Sequence, residues 1–516
     1  MNLLFLRHLP CKCLSVILLA LLSAMSADFA GSRGSVLAFN EDDSHFMGAV
    51  YSEAQYRAYV DEVCRGPVTY FFMCPNAMRC NVPATRFEPW WLALDEPGVR
   101  PSNKARAMKA LHEAGVDPYR IWSARCREKG VSPWFSMRMN DVHDVHDPAY
   151  GGLSRFWREH PEYRRVPGSA GRNWSDAAFD YAHREVRDFH LSFVKDLADG
   201  YDVDGIELDW MRFPCHLKPG REREDAHFIT EFMRETRKCV DDAARRLGHE
   251  VRVGARVPTD IDGALAIGLD VVAWTKDGSV DLIVPCNFLV TPDYKLPYAD
   301  WKERIGAVNP RVRILPGLDS GVVKEGGRGI RQNLTVAEYR GFADAMHAEG
   351  APGVYLFNLF VIPKTNGVWD ALLSGGFAPQ TTAARSRAYP SSYRENSVPG
   401  QRGFQVPVYL DVKRAVTFRA GAPAPDGATL AVLCAFDGPC PEALRRTVRF
   451  NGIAPLAVSD ESNAVWLPDK TQSDSSIRCV FPASAFQPGE NRVDIGPAEN
   501  PKLVLRACET FIDVTE

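Results

Sequence analysis

The sequence predicts an α/β chain, a (β/α)8 barrel followed by an all-β sandwich. Three observations carry this. From about residue 66 to 375, short apolar runs alternate with amphipathic helical stretches, the signature of a parallel sheet. The strand-like runs number eight over about 310 residues, against roughly 250 for a typical barrel. Beyond residue 405 the helical period disappears and short alternating runs separated by turn residues take over. An open doubly wound sheet is the alternative, but no glycine-rich phosphate loop follows the first run.

Taken in chain order, the N-terminus reads as an export signal over residues 1–27. Arg7, His8 and Lys12 supply the positive start, residues 15–22 the apolar stretch, and Ala24-Met25-Ser26-Ala27 small residues for cleavage. The apolar run is shorter than the roughly 20 residues a membrane span needs. The expectation is therefore a secreted or periplasmic protein with no membrane role after cleavage. Residues 28–65 read as a lead-in. The barrel is expected over 66–376, with strands at 68–74, 132–140, 173–180 (the weakest), 203–210, 251–257, 280–288, 312–318 and 353–360. Helices are expected at 103–114, 118–129, 183–198, 222–247, 298–308 and 336–349. Residues 377–405, rich in Ala, Ser, Arg, Pro and Gly without a period, read as a linker. The sandwich is expected over 406–516, from runs at 406–412, 415–419, 429–435, 447–450, 477–481, 491–495 and 502–506.

Composition narrows the function classes. The net charge is −4 and no basic run stands out, so a nucleic-acid partner is not expected. The thirteen cysteines are scattered, with no C-x-x-C pair from residue 64 onward, and no zinc site is expected. Cys434 and Cys440 bracket a turn-like insert and are a candidate disulfide in an oxidising compartment. Tryptophan, tyrosine and phenylalanine are plentiful; such faces stack on sugar rings as readily as they fill cores.

The segment Asp204-Gly205-Ile206-Glu207-Leu208-Asp209-Trp210 carries the chemistry. Alternate side chains of a strand share a face, so Ile206 and Leu208 point outward to helices while Glu207 and Asp209 point into the barrel. Two buried acids are costly without a purpose, and Asp209 stands nearest the C-terminal mouth, where barrel active sites lie. A charge network with Arg138 or Arg256 is the structural alternative. Together with Arg212-Phe213-Pro214, the segment resembles the fourth-strand motif of the family-10-like glycosyl-hydrolase barrels. Over about residues 65–375, that resemblance implies a (β/α)8 barrel and hydrolase activity on glycans. The segment is also distantly similar to the family-18 chitinase signature. There the chain departs, with Glu207 in place of an aspartate and Met211 where that family has its acidic glutamate, so a substrate-assisted mechanism is not implied.

The remaining strand ends supply supporting groups. Arg138, Asn140, Asp141 and His143 close one run, Arg256, Asn287 and Asn358 end others, and Trp210 follows the acidic strand. They are the candidate sugar contacts. Asp319 is the candidate second carboxylate beside Asp209, with Glu207 and Asp141 as further candidates. The loop bearing His143, Asp144, His146 and Asp147 has metal-ligand residue types, but substrate contacts or solvated side chains account for it equally well; no metal and no cofactor are expected. The expectation is hydrolysis of an O-glycosidic bond in a poly- or oligosaccharide by carboxylate acid/base or nucleophile catalysis. A non-catalytic glycan-binding barrel is the alternative.

Overall fold

The computed structural model describes residues 35–42, 49–169, 171–289, 291–322, 332–392, 404–461 and 475–514. The expected export signal lies outside the described residues. Among the described residues, no helix is long and apolar enough to cross a membrane.

Eight parallel strands form the barrel, each bonded to the next: Val36–Glu41, Tyr70–Met73, Ser132–Arg138, Gly205–Asp209, Arg252–Val257, Leu282–Pro285, a seventh in two pieces, and Gly353–Phe357. The seventh closes the ring. Its first piece, Arg313–Ile314, pairs with the sixth strand, and its second, Gly317–Asp319, pairs with the eighth. The first strand pairs with the eighth from Val36↔Gly353 onward.

One expected strand is absent and one unexpected strand takes its place. Residues 173–180 form no strand. Asn173 instead caps the short helix Trp174–Ala177, its side chain accepting from the Ser175 amide. The missing strand comes from the expected lead-in, at Val36–Glu41. Both its faces are buried. Phe39 packs outward on Phe71 and Trp369, while Ala38 faces inward among Tyr70, Phe72, Trp134 and Tyr355. Such a strand carries no two-residue alternation to betray it.

The expected helices form at Asn103–Glu113, Pro118–Glu128, Arg184–Gly200, Glu222–Leu247, Tyr298–Val308 and Val336–Ala348. Their starts follow ordinary capping chemistry. Asp117 accepts from two amides ahead of Pro118, and Thr335 with Glu338 forms a capping box. A further helix, Glu53–Val63, links the first two strands behind a Ser52–Gln55 capping box. Inside the barrel, Trp134 occupies space that only glycine leaves open on the neighbouring strand: a Cβ on Gly205 would stand 2.3 Å from the indole.

The C-terminal part is a sandwich of antiparallel sheets. One sheet is built from Arg387–Ser391, Val504–Asp513, Thr429–Phe436, Ser475–Phe481 and Ala457–Asp460, with Val408–Tyr409 added to the second of these. The other contains Arg414–Ala420, Gly489–Ile495 and Arg449–Phe450. The expected linker is partly structured, holding the helix Pro379–Ala384 and the edge strand Arg387–Ser391. That strand binds the sandwich to the barrel. Arg387 pairs with Asp344 of the helix Val336–Ala348 at 3.1 Å, and the other Asp344 oxygen accepts from Tyr389 Oη and the Gly421 amide, each at 2.7 Å. Cys434 and Cys440 carry free thiols rather than the expected disulfide, and Cys434 stands opposite Cys508 on the neighbouring strand.

Candidate active site at the barrel mouth

The fourth strand places its side chains by alternation. Ile206, Leu208 and Trp210 join the core between sheet and helices, and Glu207 and Asp209 point into the barrel, where neither is exposed. Asp209 sits at the C-terminal end. Its Oδ1 accepts from Arg256 Nε at 2.8 Å and from the amides of Met211 and Arg212 at 2.9 and 3.0 Å; its Oδ2 accepts from Arg256 Nη2 at 2.9 Å. The acid thus holds a two-pronged ion pair and ties down the turn that follows the strand. Arg256 also lies 3.6 Å from the Phe357 ring centroid and donates to Cys286 Sγ at 3.4 Å.

Glu207 lies one layer deeper. Its Oε1 accepts from Ser136 Oγ at 2.6 Å and from Tyr355 Oη at 3.1 Å, while Oε2 has no partner. Gly254 leaves it room, since a Cβ there would stand 3.2 Å from the Glu207 Cβ. Burial, and then the charge of Asp209, push its carboxyl up to about 8, against the pull of Ser136, Arg256 and Tyr355. At neutral pH Glu207 therefore carries a proton. With Oε1 already accepting twice, that proton belongs on Oε2. The strand thus pairs a protonated acid with an ion-paired carboxylate.

The third strand supplies a second charged group. Arg138 bonds Asp141 at 2.8 Å and also pairs with Asp42. Asp141 Oδ1 meets His143 Nδ1 at 2.7 Å. Burial works against the charge on Asp141, but His143, Arg138 and Arg212 outweigh it and hold the carboxyl far below the usual range. Asp319, on the seventh strand, accepts from the Ser320 amide at 2.7 Å and stands 3.5 Å from Asn358 Nδ2. Asn287 meets Thr259 Oγ1 at 3.4 Å. Backbone strain gathers here as well. Asp144, Phe213, Leu289 and Asn358, in the segments following the third, fourth, sixth and eighth strands, all have positive φ. Such conformations cost of order 1–3 kcal/mol each and concentrate at functional sites.

Three expected sugar contacts are engaged within the protein itself. Trp210 is fully buried on the outer side, between Tyr181, His216, Phe232 and Trp274. The alternation that turns Asp209 inward turns Trp210 away. Asn140 is an internal clamp: its amide donates to the carbonyls of Phe179 and Cys215, and its oxygen accepts from the Phe179 amide. Arg256 is spoken for by Asp209. Arg212 had no role in the sequence reading; Phe213 and Phe288, aromatic residues expected near the mouth, gather with Trp174, which lies 5.3 Å from Phe213, while Phe288 lies 6.4 Å from it. Among the described residues, no group of three or more His, Cys, Asp or Glu is arranged to hold a metal ion. Asp147, from the loop with metal-ligand residue types, pairs with Arg100. At the opposite end of the barrel a cavity of about 460 Å³, lined by residues such as Val36, Tyr70, Leu282 and Leu315, has no acid in its wall.

No protein-family profile and no curated protein sequence matches the chain, so the family-10-like resemblance rests on the strand motif alone. Solved structures align with it at low identity. The glycoside hydrolase domain of PgaB (BpsB) from Bordetella bronchiseptica is 12% identical, with a TM-score of 0.41, over 66% of this chain and 99% of that one. A family-18 chitinase from Chromobacterium violaceum is 11% identical, with a TM-score of 0.36, over 92% of each. A cycloisomaltooligosaccharide glucanotransferase from Paenibacillus sp. is 10% identical, with a TM-score of 0.35; the match covers 94% of this chain but only 58% of that enzyme's length.

Proposed function

We propose that this protein is an exported glycoside hydrolase that works at the C-terminal mouth of its barrel. The observation that carries the reading is the divergence of two carboxyl groups on one strand face: Glu207 holds a proton up to about pH 8, and Asp209 is ion-paired with Arg256. Environments that drive neighbouring titratable groups apart are how acid and base roles are assigned within one site. In this reading Asp209 is the ionised partner facing the developing positive charge of the sugar, and Glu207 is the store of a transferable proton. Asp319 is the second carboxylate nearest the substrate. Asp141, His143, Asn287 and Asn358 provide polar contacts around it. Export is part of the proposal, on the strength of the charged and then apolar N-terminal sequence.

The test is a screen of polysaccharides with reducing-end detection, run with the wild type beside Asp209→Asn and Glu207→Gln. The reading expects cleavage by the wild type, none by Asp209→Asn, and a loss of about 10²–10⁴-fold in Glu207→Gln, the range for a general acid. Unimpaired cleavage by Asp209→Asn would refute the assignment.

One observation favours a second reading. Asp209 is saturated by Arg256 and two backbone amides, as a purely structural strut would be. A non-catalytic glycan-binding barrel then predicts saturable binding of a polysaccharide that is never shortened.

A further inference from the structure

Three arginines stand at the barrel mouth, and their charges are not treated alike. Arg256 is neutralised by Asp209, and Arg138 by Asp141 and Asp42. Arg212 has no acid of its own. It is only 9% exposed, yet among the described residues it forms no ion pair. Its Nη2 lies 3.2 Å from His143 Nε2, and its Nε has no partner at all. His143 Nδ1 faces the Asp141 carboxylate, and the tautomer with its proton on Nδ1 presents Nε2 as an acceptor to the guanidinium. An imidazole brings no negative charge to a buried cation. Burial and the nearby Arg138 work against the charge on Arg212, while Asp42, Asp141 and Asp209, each already held by another arginine, support it without bonding it. A buried charge without a direct partner is costly, and an anion arriving at Arg212 would supply that partner.

The position fits a binding role. Arg212 follows the acidic strand directly, and its own amide is anchored on Asp209 at 3.0 Å. The next residue, Phe213, is held at a φ of 62°. Its ring meets His143 edge-on at 4.7 Å and belongs to the aromatic group with Trp174 and Phe288. A cation beside aromatic faces is the chemistry that receives a charged sugar, with the ring carbons on the apolar faces and the anionic substituent on the guanidinium.

We propose that Arg212 is a specificity-determining residue that receives the anionic group of an acidic sugar, a uronic carboxylate or a sulfate ester, with His143 beside it. This rests on the reading of the mouth as a glycan site.

The test is a thermal-shift titration of the full-length protein at constant ionic strength with D-glucuronate, glucose 6-sulfate and glucose as probes. The wild type is expected to be stabilised by glucuronate or by glucose 6-sulfate, whichever anion the site takes, and not by glucose. Arg212→Met and Arg212→Gln are expected to weaken that binding about tenfold or more, the worth of a charge-assisted hydrogen bond. Without any sugar, Arg212→Met is expected to melt above the wild type, because the unpaired charge is gone. The inference is overturned if neither acidic sugar shifts the wild type more than glucose does, or if the shift persists in both variants. The two readings fail separately. Equal cleavage of a neutral polysaccharide by the wild type and Arg212→Met removes the acidic-sugar inference and leaves the hydrolase. Arg212-dependent binding of an acidic polysaccharide that is never cleaved keeps the inference and removes the hydrolase.

Discussion

The junction between barrel and sandwich and the mouth of the barrel both bury arginine among carboxylates, but they close their polar groups differently. At the junction, both oxygens of Asp344 are engaged, by Arg387, Tyr389 and the Gly421 amide. At the mouth, Glu207 keeps an oxygen without a partner and Arg212 keeps a cation without an acid. The first arrangement joins two parts of the chain through a carboxylate with both oxygens engaged, although Arg387 Nε has no partner there among the described residues. Among the described residues, the second leaves a carboxyl oxygen and a guanidinium without direct partners, groups that a ligand can meet. Burial and charge are therefore poor markers of a site on their own; the open valence is the better one.

Four measurements break or sharpen this contrast. The largest effect is expected from Asp209→Asn, which should abolish any glycan cleavage detected in the wild type, read by reducing-end assay. Next, Asp344→Ala should cost about 3–5 kcal/mol in denaturant unfolding, the usual result of leaving a buried partner charge alone, while cleavage by the folded fraction stays unchanged. A loss of activity at full folding would erase the distinction between the two regions. Third, Glu207 should leave its mark on stability against pH. Its carboxyl ordinarily titrates near 4.5 and is pushed up to about 8 in the folded protein, so between those values the folded state binds more protons than the unfolded one. The wild type should lose stability relative to Glu207→Gln as pH rises from about 4.5 to 8 and level off above that. A flat difference would mean that Glu207 titrates normally. The smallest effect is the gain in melting temperature of Arg212→Met without ligand, expected to be a few degrees. A fall would mean that the guanidinium is already satisfied.

Much of this architecture was legible in the sequence, where periodicity speaks. The helices appear within a residue or two of expectation, because amphipathic faces and caps are local properties. The inward aim of Glu207 and Asp209 followed from counting by two along one strand. The same counting, carried one residue further, turns Trp210 outward, although its place at the strand end had made it a candidate sugar contact. Val36–Glu41 stayed hidden because a strand covered on both faces loses its alternation. Residues 173–180 misled because Asn173 starts a helical turn there. Arg212 lay within the strand motif, but its significance is a missing ion pair, and only three dimensions reveal that none forms among the described residues.

The closure of the barrel sets the order in which this chain can finish folding. Ser35 donates to the carbonyl of Pro352 across 317 residues of sequence, and the first strand beside it finds its second neighbour only in the eighth. During synthesis the opening strand must wait, one edge unsatisfied, until nearly the whole barrel has left the ribosome. Contacts of such separation form late and slowly. Until the ring shuts, the free edge of that strand is open to pairing with other chains.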